Sequence, residues 1–120
     1  MTEGEARRSK PILRLAFWAA GLFAFVMALL PHPPQLPGHP SDKVQHMAAF
    51  AVLGLLGSLA YPRLRTWRLL VGLSIFGALI ELAQEIPMLH RDSDPFDWLA
   101  DTVACAVVLL AVAAWRASRR

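Results

Sequence analysis

The sequence predicts an all-α protein, a four-helix transmembrane bundle with the N-terminus and C-terminus both cytoplasmic. The first observation is composition, because 56% of the 120 residues are hydrophobic, more than a soluble domain of this size can bury. The second is a set of four uncharged, mostly apolar runs, residues 15–30, 47–61, 69–80 and 102–115. The third is the placement of the basic residues between these runs. Together they predict a single membrane domain.

Each run is shorter than the roughly 20 residues that a helix needs to cross the hydrocarbon of a bilayer. The longest has 16 residues and the shortest has 12. A soluble protein of 120 residues cannot bury four such helices, since too few polar residues remain to cover them. We therefore expect polar residues at the helix ends to complete the spans.

Basic residues cluster before the first run, between the second and third, and after the fourth. A chain that crosses the membrane four times brings these clusters to one side, which the positive-inside rule makes the cytoplasm. Only Lys43 and Arg91 fall on the outer side. Because topology explains the positive charge, we expect no nucleic-acid partner. The inner basic residues are Arg7, Arg8, Lys10, Arg14, Arg63, Arg65, Arg68, Arg116, Arg119 and Arg120.

The first helix is predicted over residues 12–30, after a polar N-terminal tail at residues 1–11. It has no ionisable residue beyond its inner end, so we interpret it as an anchor. We expect it to be retained, because its apolar run exceeds the roughly 7 to 15 residues of a signal-peptide core. Residues 31–40 contain five of the nine prolines, which predicts an extended outer loop.

Turn and cap residues delimit the second and third helices. Ser41 can cap the second helix and Pro62 ends it. The second run is rich in alanine, glycine and serine, which favour close helix packing in lipid. Thr66 is predicted to cap the third helix, and Pro87 to end it.

The fourth helix is predicted to begin at Asp94-Pro95, since aspartate caps free N–H groups and proline fits the first helical position. It continues to about residue 115, and residues 116–120 form a basic cytoplasmic tail. Cys105 lies inside the fourth run and is predicted to be a packing residue. Trp98 is assigned to an aromatic belt at the outer interface.

Polar residues on three helices reach one level of the predicted bundle. Counted from the last inner-side charge of each helix, Glu81 and Asp101 lie about 20 and 22 Å up in a slab of about 30 Å. His46 and Asp97 arrive at about 25 and 28 Å by the same count. An ionised side chain that faces lipid costs about 2.5 to 3.5 kcal/mol, so we expect these groups to point inward.

Their spacing places them on shared helix faces, since residues three or four apart are neighbours on a helix. The polar pairs are Asp42 and His46, Glu81 and Gln84, and Asp97 and Asp101. The outer cations, Lys43 and Arg91, are the expected partners of the carboxylates, and the planar guanidinium of Arg91 can bridge two of them. The predicted ligand-binding site or polar core therefore consists of Asp42, Lys43, His46, Glu81, Gln84, Arg91, Asp97 and Asp101.

Two of these residues have alternative roles. Glu81 forms either a structural ion pair with Arg91 or a direct ligand contact, and the sequence leaves both open. His46 is interpreted as a hydrogen-bonded structural histidine rather than a catalyst or a metal ligand. The sequence indicates no particular cofactor and assigns no catalytic residue.

The spacing of these polar residues resembles that of the VanZ-like family of small bacterial membrane proteins over residues 41–112. The resemblance implies that residues 12–115 form one VanZ-like membrane domain. The similar motifs are Asp42-Lys43-x-x-His46, Glu81-x-x-Gln84, and Arg91 followed by Asp97 and Asp101. The chain departs from the family twice, because Asp101 replaces the usual asparagine and Ala104 replaces a glycine.

The resemblance implies a multi-pass protein of the bacterial inner membrane, in a family associated with resistance to teicoplanin, which acts on a lipid-linked cell-wall precursor. The expected partner is a membrane lipid or such a precursor. Pairing with a second copy or with another membrane protein is left open. The phosphotransbutyrylase label that some members carry is not transferred.

Three functions compete at this point. The favoured one is binding of an anionic lipid or lipid-linked envelope molecule by Arg91 and Lys43. The second is an intramembrane hydrolase or transferase, with Glu81 or His46 as base. A divalent cation could then be held by Asp97, Asp101 and Glu81. The third is a structural helper subunit of an envelope complex.

Overall fold

The computed structural model describes residues 3–30, 38, 41–89 and 94–119. Within these ranges the chain is helical and contains no strand. The elements are α1 (Glu3–Leu29), α2 (Asp42–Ala60), α3 (Thr66–Gln84), a 3₁₀ turn (Pro87–Leu89) and α4 (Pro95–Ser118). Each α-helix includes a stretch long and apolar enough to cross a membrane. The all-α prediction is confirmed.

Two of the three predicted helix caps are confirmed. The Ser41 hydroxyl accepts a hydrogen bond from the N–H of Val44 at 3.3 Å, and the Asp94 carboxylate accepts one from the N–H of Phe96 at 2.9 Å. The prediction for the third helix was wrong by one residue. Its N-cap is Arg65, which makes no side-chain cap, so Thr66 is the first helical residue.

The predicted start of the first helix was also wrong, because α1 begins at Glu3 and includes Pro11. Residues 3–10 read EGEARRSK, and glutamate, alanine, arginine and lysine all favour helix. Proline in a helix interior removes one backbone hydrogen bond and usually kinks or breaks the helix. The polar segment before the first span is therefore a helical extension of it.

Contacts between the helices place α2 at the centre of the bundle. It packs most extensively against α4 and α1, while α3 packs mainly against α4 and only sparsely against α1. Consecutive helices run antiparallel. The end of α1, the start of α2, the end of α3 and the start of α4 meet at one end of the bundle, which we call the acidic end. The opposite end is called the basic end.

Small residues let α2 approach its neighbours closely, as the sequence predicted. A Cβ added at Gly54 would lie 3.3 Å from the Cys105 sulfur of α4, and one added at Gly57 would lie 3.0 Å from Leu69 of α3. Cys105 is 1% exposed, which agrees with a packing role. Large apolar side chains cover the outer faces of the helices, Leu15, Leu22 and Phe23 among them, as lipid contact requires.

Two arginines at the basic end bind backbone carbonyls near the end of α2. Arg14 of α1 donates from Nε to the carbonyl of Ala60 at 3.3 Å, and Arg116 of α4 donates from Nη2 to the carbonyl of Ser58 at 2.7 Å. The last carbonyls of a helix lack intrahelical partners and carry partial negative charge. These arginines, predicted only as markers of topology, therefore also fasten α1 and α4 to α2.

Candidate functional site at the acidic end

Glu81 lies one turn before the end of α3 and is 8% exposed. One of its carboxylate oxygens, Oε2, accepts a hydrogen bond from the backbone N–H of Asp94 at 2.9 Å. Asp94 is the N-cap of α4, so this bond ties the end of α3 to the start of α4. A backbone donor has no sequence signature, and this partner was not predicted. Arg91, the predicted partner of Glu81, lies outside the described residues.

Asp97 and Lys43 link α4 to α2. The Nζ atom of Lys43 lies 3.6 Å from Oδ1 of Asp97, and the two side chains are 48% and 16% exposed. The sequence named Lys43 as a partner for the carboxylates, and the structure shows which one it meets. Because the lysine is half exposed, solvent and salt screen the pair and it contributes at most about 1 kcal/mol.

Asp101 lies one turn below Asp97 on α4 and is 3% exposed. It is close enough to Asp97 and Glu81 for their charges to act on it. Its Oδ1 atom has no hydrogen-bond partner in the described part of the chain. A buried polar atom without a partner costs about 1 to 3 kcal/mol. The structure thus brings three carboxylates together, and one oxygen of Asp101 has no donor among the described residues.

Gln84 adds a second buried acceptor and connects the site to α1. It is 2% exposed, and its Nε2 atom donates to the carbonyl of Ala28 at 2.9 Å. Its Oε1 atom has no partner among residues 3–30, 38, 41–89 and 94–119. The first helix, interpreted from the sequence as an anchor, therefore also contributes a carbonyl to the polar end.

The remaining predicted residues are not joined to this cluster by described contacts. His46 is half-buried on α2, and its side chain makes no hydrogen bond with another described residue. The backbone of Asp42 begins α2, but its side chain lies outside the described part of the structure, as does Arg91. The described histidines, cysteines and acids include no group of three or more arranged to hold a metal ion. The divalent cation of the hydrolase or transferase alternative therefore finds no support in the described geometry.

A polar network that the sequence analysis missed lies beside the cluster, between α3 and α4. The Trp98 indole donates to the carbonyl of Ser74 at 2.9 Å, and the Thr102 hydroxyl donates to the carbonyl of Trp98 at 2.9 Å. The Ser74 and Thr102 hydroxyls are 3.1 Å apart. Trp98 was assigned to an interfacial belt, but it packs between two helices against Gly77. Trp98 and Thr102 are four residues apart and share one helix face, and this spacing could have predicted the network.

The cluster at the acidic end thus combines the carboxylates of Glu81, Asp97 and Asp101 with the Gln84 amide and the half-exposed ammonium group of Lys43. Two of its buried oxygens have no donor in the described part of the chain. Such an arrangement can accept hydrogen bonds from hydroxyl or N–H groups, and Lys43 can contact an anion at the rim. The chain matches no protein-family model, no curated protein and no solved structure.

Proposed function

We propose that this chain is a multi-pass protein of a bacterial inner membrane, related to the VanZ-like proteins, and that its acidic end faces outward. There it binds the head group of an anionic lipid or of a lipid-linked cell-envelope molecule. The basic residues at the opposite end support this orientation through the positive-inside rule. The motifs over residues 41–112 support the relationship.

One observation carries the binding proposal, the two buried acceptors Asp101 Oδ1 and Gln84 Oε1 that have no donor in the described chain. Buried polar atoms in native proteins are almost always hydrogen-bonded, and an exception calls for an explanation. Polar residues at membrane depth are by default functional. A ligand that brings hydroxyl or N–H groups would satisfy both oxygens.

The charges of the site restrict the chemical class of the ligand. The described part of the site has three carboxylates and one cation, Lys43, so a bare anion is a poor fit. A lipid-linked sugar combines phosphate with several hydroxyl donors. In this proposal the phosphate contacts Lys43 and Arg91, and the hydroxyl groups reach Asp101 and Gln84.

The test compares two probes, a polyprenyl diphosphate and the same lipid carrying a disaccharide. Native mass spectrometry of the full chain in mild detergent measures the affinity of each. We expect the sugar-bearing lipid to bind at least about tenfold more tightly, since a hydrogen bond to a charged group contributes about 1.5 to 3 kcal/mol. Asp101→Ala and Gln84→Ala should remove this preference.

The control is Glu85→Gln, which removes an exposed carboxylate at the same end and should leave the preference intact. Arg91→Lys should weaken binding of both lipids while the protein still accumulates, because lysine cannot form the planar fork. Equal binding of the two probes to the unchanged chain would refute the proposal.

A structural role is the second candidate, and specific contacts favour it. Glu81 joins α3 to α4, Lys43 joins α2 to α4, and Gln84 joins α3 to α1. A helper subunit held together in this way would lose abundance in Glu81→Gln and Asp97→Asn and would show no lipid preference. No contact of the described residues favours an intramembrane hydrolase or transferase.

A further inference from the structure

A second region that suits a ligand lies away from the acidic end, on the lipid-facing side between α1 and α3. These two helices touch only sparsely, and the space between them is an apolar groove of about 660 Å³. That volume lies within the roughly 300 to 1,000 Å³ range of small-molecule sites. Aromatic rings line it, among them Phe17 and Phe25 of α1 and Phe76 of α3.

The groove becomes polar toward the basic end of the bundle. Arg68 is the charged residue among the described residues of its wall. Tyr61 and Leu64 also line a neighbouring cleft of about 540 Å³, whose other walls include Arg14 and Arg63. Among the described residues, no carboxylate lines either cavity and none of these three arginines pairs with an acid. The continuous surface is thus hydrocarbon-like along its length and cationic at its mouth.

Tyr61 lines both cavities, and its hydroxyl group can donate a hydrogen bond to a ligand there. Its hydroxyl oxygen accepts a hydrogen bond from the Trp18 indole at 2.8 Å. An indole N–H can only donate, so the hydroxyl proton of Tyr61 is not used in that bond. Arg14 lies over the Tyr61 ring, 4.8 Å from its centre, which adds positive charge to the same place.

We propose that this groove, between α1 and α3, is a binding site for one anionic glycerophospholipid from the leaflet at the basic end. An acyl chain lies along the aromatic wall, and the phosphate lies near Arg68, Arg14 and the Tyr61 hydroxyl. The charge of the groove mouth selects this occupant. A zwitterionic lipid presents its own cation to the arginines, and an uncharged helix of another protein leaves them without a partner. The site is separate from the acidic end and does not depend on the function proposed there.

Gly72 offers a way to close the groove without disturbing the bundle. It lies in the groove wall, and a Cβ added there meets no atom within 4 Å. Gly72→Phe should therefore fill the groove while α3 stays in place. The matched control is Val71→Phe, which adds a ring at the neighbouring exposed position outside the groove.

Native mass spectrometry of the full chain, titrated with phosphatidylglycerol or phosphatidylcholine, measures the occupancy. We expect one tightly bound phosphatidylglycerol, its loss in Gly72→Phe and its retention in Val71→Phe. Arg68→Gln should weaken it about fivefold, as expected for one cation near an anionic head group. Arg119→Gln, which removes a basic residue outside both cavities, should change it little.

Three outcomes would overturn the proposal. The first is equal binding of the two lipids, and the second is binding of phosphatidylglycerol that survives both Gly72→Phe and Arg68→Gln. The third is a dimer that Gly72→Phe dissociates, which would assign the groove to a second copy instead. Binding of the sugar-bearing polyprenyl lipid is measured in the same variants and should be unchanged, so failure here is distinct from failure at the acidic end.

Discussion

Replacement of Asp101 by asparagine should make the lipid-free protein more stable. The carboxylate is 3% exposed, and its Oδ1 atom has no donor among the described residues. Asp97 and Glu81 act on it as like charges. Asparagine has the same shape as aspartate but carries no charge. Its NH₂ group can donate to the carboxylate oxygens of Asp97 and Glu81. The substitution therefore replaces repulsion with hydrogen-bond donation.

The expected size follows from the burial of the group. An orphan buried polar atom costs about 1 to 3 kcal/mol, and more when it is charged. If asparagine recovers that cost, the free energy of unfolding rises by about 1 to 3 kcal/mol. At about 4 °C per kcal/mol for a domain near this size, Tm rises by about 4 to 12 °C.

The assay is thermal unfolding of the purified chain in detergent, followed by tryptophan fluorescence. Asp97→Asn is the matched control, because it removes a neighbouring carboxylate that has a cation partner in Lys43. That variant should change the free energy of unfolding by less than about 1 kcal/mol. A Tm lowered by several degrees in Asp101→Asn would refute the reasoning, since it would mean that the carboxylate is favourably bound in the lipid-free protein.

Four further outcomes test the packing and the ion pair. Gly54→Val should destabilise the bundle by about 1 to 3 kcal/mol in the same unfolding assay, because its side chain would press on Cys105, whereas Gly72→Ala should stabilise it by about 0.5 to 1 kcal/mol. A double-mutant cycle of Lys43→Gln and Asp97→Asn should give a coupling energy below about 1 kcal/mol that falls as salt increases; a larger, salt-independent value would contradict a half-exposed pair. Cys105, at 1% exposure, should react with a maleimide only after unfolding, and rapid labelling of the folded chain would contradict its position between α2 and α4.

Much of the fold follows from local chemistry that can be read along the chain. Ser41 and Asp94 begin helices because their side-chain oxygens accept hydrogen bonds from backbone N–H groups nearby. The error at Thr66 arose because a good capping residue is also tolerated at the first helical position. The late start predicted for α1 arose because residues 1–11 were interpreted as a polar tail, although most of residues 3–10 favour helix.

The sequence by itself determined the class of the protein, four helices of membrane-spanning length with polar residues gathered at one end of the bundle. Hydropathy and helical period are properties of residues a few positions apart, so they are visible without a structure. It also indicated that Glu81, Asp97 and Asp101 lie at a similar depth in the bundle, because the rise per residue of an α-helix converts sequence position into depth.

Only the tertiary structure decided the partners of these groups. Glu81 meets a backbone N–H and Gln84 meets a carbonyl of α1, while one oxygen of Asp101 has no partner among the described residues. The open groove between α1 and α3 likewise depends on which helices pack most closely. Such contacts join residues far apart in the chain through the relative rotation and separation of whole helices, and no local pattern encodes those two quantities.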